Sequence, residues 1–275
     1  MRKAKKLIAD IGFGFGVIVL VSPAALVFLW MLSLSLKNEL DNTAYPPVFI
    51  PDPPILDNFV AVFERNNFLQ YAINSIIVSF SATGLAILFG VPAGYGIAKM
   101  KATKAAVVIL LARITPGLSY LIPLFLLFQW LELTGTLVPI VITHLVITVP
   151  IVVWIMMGFF EGLPGELEEA ALVDGATIWQ AFRHVAMPLA RPGITVATIL
   201  AFIFSWNNFV FAMVLAGRET RTLPVAVNNM LTFEQISWGP LSAAALLVTL
   251  PVLVLTLIAQ KQIVTGLTQG GVKGG

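Results

Sequence analysis

The hydrophobic residues of this chain occur in long continuous runs separated by short polar segments. Six runs reach the length of about 20 residues that an α-helix needs to cross a bilayer. They are apolar throughout rather than alternating, which predicts helices and not the strands of a membrane barrel, and no repeat of 20–50 residues stands out. We therefore expect an all-α integral membrane protein with six spans, at about 11–36, 71–98, 105–131, 138–160, 194–216 and 239–260.

The first apolar run follows a basic N-terminus, Met1-Arg-Lys-Ala-Lys-Lys, and this combination also occurs in secretory signal peptides. The apolar region of a signal peptide has about 7–15 residues and ends at a cleavage site. Here the run continues to Leu36. Its length favours an uncleaved first membrane helix.

The composition agrees with a chain whose surroundings are mostly lipid. Of the 275 residues, 58% are hydrophobic and 11% are charged, and the mean hydropathy is +0.93. Average soluble domains have about 45–50% apolar and about 25% charged residues, so a soluble enzyme and a disordered chain are both disfavoured. The chain has no cysteine, which excludes disulfides and thiolate chemistry. Its net charge of +2 is too small to indicate nucleic acid as a partner.

The distribution of lysine and arginine predicts the orientation of the spans. With a cytoplasmic N-terminus, eleven basic residues fall in inner segments and four in outer segments. The inner segments are the N-terminus, 99–104, 161–193 and 261–275. The outer segments are 37–70, 132–137 and 217–238. This difference follows the positive-inside rule, and an even number of spans then places both termini in the cytoplasm.

The polar segments are too short to form a separate domain. The longest, 37–70 and 161–193, are shorter than the roughly 40 residues below which a domain usually needs staples or partners. The sequence has no G-x-x-x-x-G-K-[ST] phosphate loop, and no catalytic triad, carboxylate pair or metal cluster can be assembled from it. We expect a single transmembrane domain over 1–275, which is not an enzyme and holds no metal or cofactor.

The inner segment 161–193 predicts two short helices. Glu166, Glu168 and Glu169 crowd the start of the first, where the helix dipole favours anions. Its small apolar face consists of Leu167, Ala170 and Ala171 at i, i+3 and i+4, and Asp174-Gly175 ends it.

The second helix of this segment begins with a capping box, Thr177-Ile-Trp-Gln180. Pro188 is expected to end it, and its apolar stripe comprises Ile178, Ala181, Phe182 and Val185. A helix lying on the membrane surface would be basic with large apolar residues, whereas the first helix is acidic with alanines. This favours docking of a partner protein, with a membrane-surface helix as the alternative.

Several motifs of the chain resemble one known family. Glu169-Ala-Ala-Leu-Val-Asp-Gly-Ala176, followed by Met187-Pro-Leu189 and Pro192, looks like the signature loop of permease subunits in bacterial ABC importers. The similarity extends to the smaller permease of maltose-type carbohydrate importers, in the segments 54–63, Ser205-Trp-Asn207 and 267–274. The resemblance implies a type I importer permease in the bacterial inner membrane.

The resemblance also implies partners and a docking site. The partners would be a homologous second permease, two ATPase subunits that bind ATP and Mg, an external solute-binding protein and membrane lipid. The first loop helix would be the coupling helix, which sits in a cleft of the ATPase. The docking residues carried over to this chain are Glu169, Ala170, Ala171, Asp174, Gly175, Ala176 and Pro188. The outer segment 217–238 would reach into the solute-binding protein, with a solvated connection as the alternative.

Polar residues within spans are candidates for the translocation path. They are Asn74, Arg113, Trp206, Asn207 and Asn208. An indole beside two amides suits a sugar, which offers C–H faces and hydroxyls, but asparagines also bond neighbouring membrane helices. Arg113 lies close enough to the end of its span for its side chain to snorkel to the interface. His144 is alone in its span, which indicates a helix contact rather than a metal site.

Other functions remain open at this point. An ion-coupled secondary carrier usually has acidic residues within its spans, whereas the acidic residues here lie outside the predicted spans or at their margins. A membrane scaffold would not need an acidic, alanine-faced inner loop. An ABC importer could also carry a non-sugar solute, such as a polyol or glycerol phosphate.

Overall fold

The computed structural model describes residues 2–65, 67–114, 117–231 and 236–271, with the backbone alone at both ends of this range. Apart from an isolated bridge between Leu231 and Ile236, the described residues form no β-structure, so the predicted all-helical class is confirmed. The α-helices, in chain order, are α1 Arg2–Ser35, α2 Glu39–Asn42, α3 Asp57–Arg65, α4 Phe68–Met100, α5 Thr103–Ile114, α6 Leu121–Trp130, α7 Val138–Glu161, α8 Glu166–Val173, α9 Ile178–Ala181, α10 Met187–Leu189, α11 Arg191–Trp206, α12 Val210–Leu215, α13 Leu223–Asn228 and α14 Trp238–Gly271.

Four helical stretches in the described part of the chain are long and apolar enough to cross a membrane. They are Gly12–Ser35, Phe68–Met100, Val138–Glu161 and Trp238–Ile258. Two further spans arise only if bent helix pairs are counted, namely Lys104–Ala112 with Gly117–Trp130, at 81°, and Ile178–Leu189 with Arg191–Trp206, at 76°. The described residues thus supply four to six spans, and the number six stays a prediction.

The predicted fifth span, 194–216, is not one continuous helix. Helix α11 ends at Trp206 and α12 begins at Val210, with Asn207 and Asn208 between them. The Asn208 side-chain oxygen accepts a hydrogen bond from the Phe211 backbone N–H at 3.4 Å. Asparagine side chains compete for backbone partners in this way, which favours a helix end over a helix interior.

The chain divides into two compact units, Met1–Phe68 with Val227–Leu250, and Leu69–Ala226 with Pro251–Gly275. In the first unit, both carboxylate oxygens of Glu39 accept backbone N–H groups at the start of α14, from Trp238 and Gly239. Lys37 is buried there and donates to the Val48 carbonyl oxygen. Burial lowers the pKa of the Lys37 ammonium, and the nearby Asp41 carboxylate opposes that shift.

The second unit is built around α7, which packs against α4, α5, α11 and α12. Glycines allow the close approach of α4. A Cβ atom at Gly90 would lie 2.7 Å from Val152 Cγ1, and one at Gly94 would lie 2.9 Å from Met156 Cβ. The core between these helices is rich in alanine, at positions 86, 186, 190, 197 and 201. Small residues at these interfaces bring the backbones of membrane helices together.

A polar contact joins α7 to α11 within this unit. His144 Nδ1 lies 2.8 Å from Ser205 Oγ, and His144 is buried. The expected helix-contact role of His144 is therefore confirmed.

Candidate functional site

Helix α8 ends in a turn that requires glycine. Asp174 caps the helix, and Gly175 has φ +91°, a backbone conformation that side chains with a Cβ resist. The Ala176 N–H donates to the Ala171 carbonyl at 2.9 Å, and the Gly175 N–H donates to the Leu172 carbonyl at 3.1 Å. These two bonds form a Schellman motif, which satisfies the last carbonyls of the helix and reverses the chain.

The predicted capping box of the next helix is present. The Gln180 N–H donates to Thr177 Oγ1 at 3.3 Å, and the Thr177 N–H donates to Gln180 Oε1 at 2.7 Å. This box fixes the start of α9 directly after the turn at Gly175.

Pro188 does not end this second helix, contrary to the sequence prediction. Helix α9 continues through a π-helical turn, Phe182–Ala186, into α10, and the chain bends afterwards at Ala190. The Met187 N–H bonds the Phe182 carbonyl across the wider π turn. Pro188, which has no N–H to donate, therefore fits at the second position of α10.

The apolar stripe of the second helix also differs from the prediction. Ala181, Phe182 and Ala186 are buried, whereas Ile178 is exposed. The π turn shifts the helical periodicity by one residue after Phe182, so the next buried position is Ala186 rather than Val185.

Phe182 lies at the centre of an aromatic cluster that faces α4 and α7. Its ring centroid is 4.7 Å from that of Tyr95, 5.2 Å from that of Trp179 and 6.2 Å from that of Phe160. Tyr95 also meets Phe160 edge-on at 5.2 Å. The π turn is thereby seated against the ends of α4 and α7.

The exposed surface of α8 and α9 carries large apolar side chains. Val173 is 87% exposed, and Leu172, Ile178 and Trp179 are exposed as well. Among the predicted docking residues, Ala171 and Ala176 are half-buried, and Glu169, Ala170, Asp174, Gly175 and Pro188 are exposed. We call this surface, made by the exposed residues of 169–179, the outward coupling surface.

The buried position of α8 is a carboxylate that the sequence analysis did not single out. Glu168 is 5% exposed, and its Oε2 accepts a hydrogen bond from the Tyr95 hydroxyl at 2.7 Å. Its Oε1 lies 2.9 Å from Lys99 Nζ, as an ion pair rather than a hydrogen bond of regular geometry. The sequence carries one signal for this contact. Tyr95 and Lys99 have an i, i+4 spacing, which puts them on one face of α4.

A cavity of about 810 Å³ lies beside this ion pair, at the ends of α4, α5 and α7. Its lining includes Lys99, Glu161 and Glu169, together with Trp154 and aliphatic side chains. The space adjoins the exposed Glu169, whereas Glu168 is held against α4.

The candidates for the translocation path have different surroundings. Trp206 is buried and stacks on Phe202 with a centroid distance of 5.5 Å, whereas Asn207 is exposed at the break after α11. Asn208 is half-buried, and its side-chain oxygen accepts the Phe211 N–H near the start of α12. The side chain of Arg113 lies outside the described residues.

Asn74 has a structural role at the other end of α4. It is 2% exposed, and its amide nitrogen donates to the carbonyls of Glu219 at 2.8 Å and Arg221 at 2.9 Å. These bonds hold the segment 219–221 against α4, so in this conformation the amide nitrogen faces the backbone of that segment.

Comparisons with known proteins agree with this architecture. Residues 59–269 match the family described as the binding-protein-dependent transport system inner membrane component. The trehalose transport system permease protein SugB of Mycobacterium tuberculosis is 36% identical over 262 residues, covering 93% of this chain and 95% of that protein. The trehalose/maltose transport system permease protein MalG of Thermococcus litoralis is 28% identical, covering 98% of both chains.

A solved structure shares the fold. The crystal structure of a bacterial ABC transporter involved in the import of the acidic polysaccharide alginate matches with a TM-score of 0.75 and 21% identity, covering 94% of this chain and 96% of that one. The family match, together with the apolar helices, makes the chain a multi-pass protein of the bacterial inner membrane. The chain belongs to the family of binding-protein-dependent transport system inner membrane components, the permease subunits of ABC transporters.

Proposed function

We propose that this chain is one permease subunit of an ATP-driven importer of a carbohydrate. Two of its relatives are named for trehalose and maltose transport, which supports a sugar as the solute. The chain would form half of the translocation path beside a homologous second permease. Two ATPase subunits would bind ATP and Mg, and an external protein would deliver the solute.

The topology of this proposal has six spans and both termini in the cytoplasm. The four long helices supply four spans, and the bent pair of α5 with α6 supplies another. Helices α11 and α12 cover the predicted span 194–216, so α9 and α10 stay in the inner segment. Eleven basic residues then lie inside and four outside, as the positive-inside rule expects. Lipid and the second permease would cover the exposed apolar side chains of α1, which include Phe13, Leu20 and Leu26.

The outward coupling surface is the observation that carries the proposal. It combines exposed apolar side chains, such as Val173, with the carboxylates of Glu169 and Asp174. Exposed apolar patches on a helix mark interaction sites, and the alanines at 170 and 171 permit close approach of a partner. We assign docking of the ATPase to Glu169, Ala170, Ala171, Asp174, Gly175, Ala176 and Pro188.

The mechanism follows from a rigid docking element. The Schellman turn and the capping box fix α8 and α9 relative to each other, so a closing ATPase moves them as a unit. The spans then reorient around a central site, as in alternating access. The break at Asn207, beside the buried Trp206, is our candidate for solute contact on this chain.

The test is purification of the chain with its partners, followed by measurement of ATP hydrolysis in proteoliposomes. We expect an ATPase in stoichiometric amount, crosslinks to it from a cysteine at Ala170, and hydrolysis that a sugar-loaded binding protein stimulates. A panel with trehalose, maltose, polyols and glycerol phosphate separates a sugar from other solutes. A lone chain driven by an ion gradient would mean a secondary carrier, and a lone chain without transport a scaffold.

A further inference from the structure

Glu168 occupies the face of α8 that turns away from the outward coupling surface. A carboxylate removed from water is costly unless it is paired and hydrogen-bonded. Glu168 has both kinds of partner, the Tyr95 hydroxyl at 2.7 Å and the Lys99 ammonium at 2.9 Å. Both partners lie on α4, so this one side chain ties α8 to a membrane helix that precedes it by about 70 residues.

The partners of Glu168 are held in place on α4. The Tyr95 ring packs against Phe160 at 5.2 Å and Phe182 at 4.7 Å, which fixes the direction of its hydroxyl. Lys99 Nζ lies 6.0 Å from the centroid of the same ring. A displacement of α8 therefore meets a hydroxyl whose direction the ring packing fixes, with the Lys99 charge beside it.

The outer end of α4 is bonded in a similar way to another segment. Asn74 donates to the carbonyls of Glu219 and Arg221, and the Ser75 hydroxyl accepts the Leu223 N–H at 2.8 Å. The outer segment 217–223 is thus fastened to the first turns of α4. Asn74 and Tyr95 are separated by about 30 Å at the rise of an α-helix.

Between these ends, α4 is packed tightly on α7. The contacts at Gly90 and Gly94 bring the backbones so close that a Cβ atom would meet Val152 or Met156 at less than 3 Å. Closely packed helix interfaces shift between discrete arrangements rather than deform continuously. A movement that enters α4 at Tyr95 is therefore expected to reach Asn74.

We propose that Glu168 is a positioning residue that transmits movement of the coupling helix to α4, and that α4 carries this movement to the outer segment 217–223. The inference rests on the proposed function, because it takes the ATPase as the source of the movement. Coupling between two sites is reciprocal. An event at the outer segment, such as docking of the solute-binding protein, therefore alters the docking of α8 on the ATPase.

The experiment uses the complete complex in proteoliposomes with three single variants, Tyr95→Phe, Glu168→Gln and Lys99→Gln. Tyr95→Phe retains the ring and removes only the hydroxyl, so it keeps the aromatic cluster. We expect the ATPase to stay bound and the basal hydrolysis to persist. Stimulation by the solute-loaded binding protein should fall at least about fivefold, the lower end of typical coupling strengths. Glu166→Gln, an exposed carboxylate of the same helix, is the matched control and should leave stimulation unchanged.

A second measurement follows the outer segment directly. The chain has no cysteine, so Arg218→Cys introduces a single thiol at an exposed position of that segment. In the parent complex the rate of labelling by an impermeant thiol reagent should change when nucleotide binds. With Glu168→Gln added, that change should disappear while the ATPase stays bound. Loss of packing alone would not remove a nucleotide-dependent difference selectively.

The double variant Lys99→Glu with Glu168→Lys restores an ion pair of opposite polarity. It should recover part of the stimulation that Glu168→Gln or Lys99→Gln loses. Failure of all three single variants to lower stimulation, with the ATPase bound, overturns the role of Glu168. An unaltered labelling response in Glu168→Gln overturns the transmission through α4. If the unmodified chain binds no ATPase at all, the proposed function fails instead, and this result is distinct from both others.

Discussion

Helices α7 and α8 are separated by only four residues, yet they follow opposite rules of burial. In α7, Val152 and Met156 are buried, and the polar Thr148 turns its hydroxyl to the His144 carbonyl at 2.9 Å. In α8, the buried position is the carboxylate of Glu168, and the apolar Val173 is exposed. Packing within the chain explains which residues of α7 are buried. It gives the exposed apolar residues of α8 no contact inside the subunit.

This contrast separates two kinds of substitution. Changes that affect the interface of α7 with α4 should lower the stability of the subunit, because they act on contacts that the chain makes with itself. Changes on the outward coupling surface should leave the fold intact and reduce coupling or association. Each substitution below tests whether a residue serves packing within the subunit or coupling to its partners.

The largest effect is expected for Gly94→Val, at the face where α4 meets α7. The new Cβ would lie 2.9 Å from Met156 Cβ and 3.0 Å from the Met157 backbone nitrogen. Backbone cannot give way as a flexible side chain can, so we expect a cost at or above the roughly 1–3 kcal/mol of ordinary overpacking. The thermal unfolding midpoint in detergent should fall by about 2–4 °C for each kcal/mol.

Gly84→Val is the control for this prediction. Gly84 lies on the same helix, and an added Cβ there meets no atom within 4 Å. A fall of the midpoint in both variants would show that the helix itself, and not its interface with α7, sets the cost.

The next effect in size is expected for Gly175→Val, in the turn after α8. The φ of +91° costs a residue with a Cβ roughly 1–2 kcal/mol, so the turn should rearrange and shift α8 relative to α9. Since 1.4 kcal/mol corresponds to a factor of ten, we expect transport to fall about tenfold or more. The spans should remain inserted, and ATP hydrolysis should lose its dependence on solute. Transport is measured as uptake of labelled solute per ATP hydrolysed.

Gly175→Asn should retain more transport than the valine variant, because asparagine tolerates positive φ better than other residues with a side chain. Wild-type transport in Gly175→Val would contradict the assignment of this turn.

Local signals explain which features the sequence predicts. Helix α8 begins at Glu166 and ends at Val173, as the acidic start and the Asp174-Gly175 pair indicate. Gly175 and the capping box of Thr177 are also local, since each needs only a few neighbouring residues. Hydropathy identifies α1, α4, α7 and α14 for the same reason.

The features that the sequence does not predict depend on contacts between distant residues. The burial of Glu168 depends on Tyr95 and Lys99, and the bonds of Asn74 lead to residues about 145 positions later. The break after α11 escapes prediction for another reason. Hydropathy averaged over a window hides two asparagines within an apolar run, although the Asn208 side chain bonds the backbone N–H of Phe211 at the start of a new helix.

A moderate effect is expected for Val173→Asp, on the outward coupling surface. Val173 is the most exposed large apolar residue of α8, so an added charge should not disturb the subunit. In an interface with the ATPase the charge would be desolvated without a partner, and a loss of about 1 kcal/mol corresponds to a roughly fivefold weaker association. Titration of purified ATPase against the permease measures it.

Leu40→Asp is the matched control, because Leu40 is similarly exposed on a segment assigned to the outer side. Equal weakening by both substitutions would contradict a localised docking surface on α8.

The smallest effect is expected for Thr177→Ala, which removes the hydroxyl of the capping box and keeps the backbone. Loss of such a cap costs about 1 kcal/mol, here restricted to the start of α9, since Ala181, Phe182 and Ala186 stay buried. Hydrogen exchange at the Gln180 amide, which donates to Thr177 Oγ1, should accelerate about fivefold, whereas Thr177→Ser should keep the slow exchange. Transport should change by no more than about twofold, because the aromatic cluster around Phe182 still seats the segment against α4. A loss of transport as large as that of Gly175→Val would mean that the cap, and not the glycine turn, holds α8 and α9 in register. Thr177 would then count among the residues that serve coupling rather than local stability.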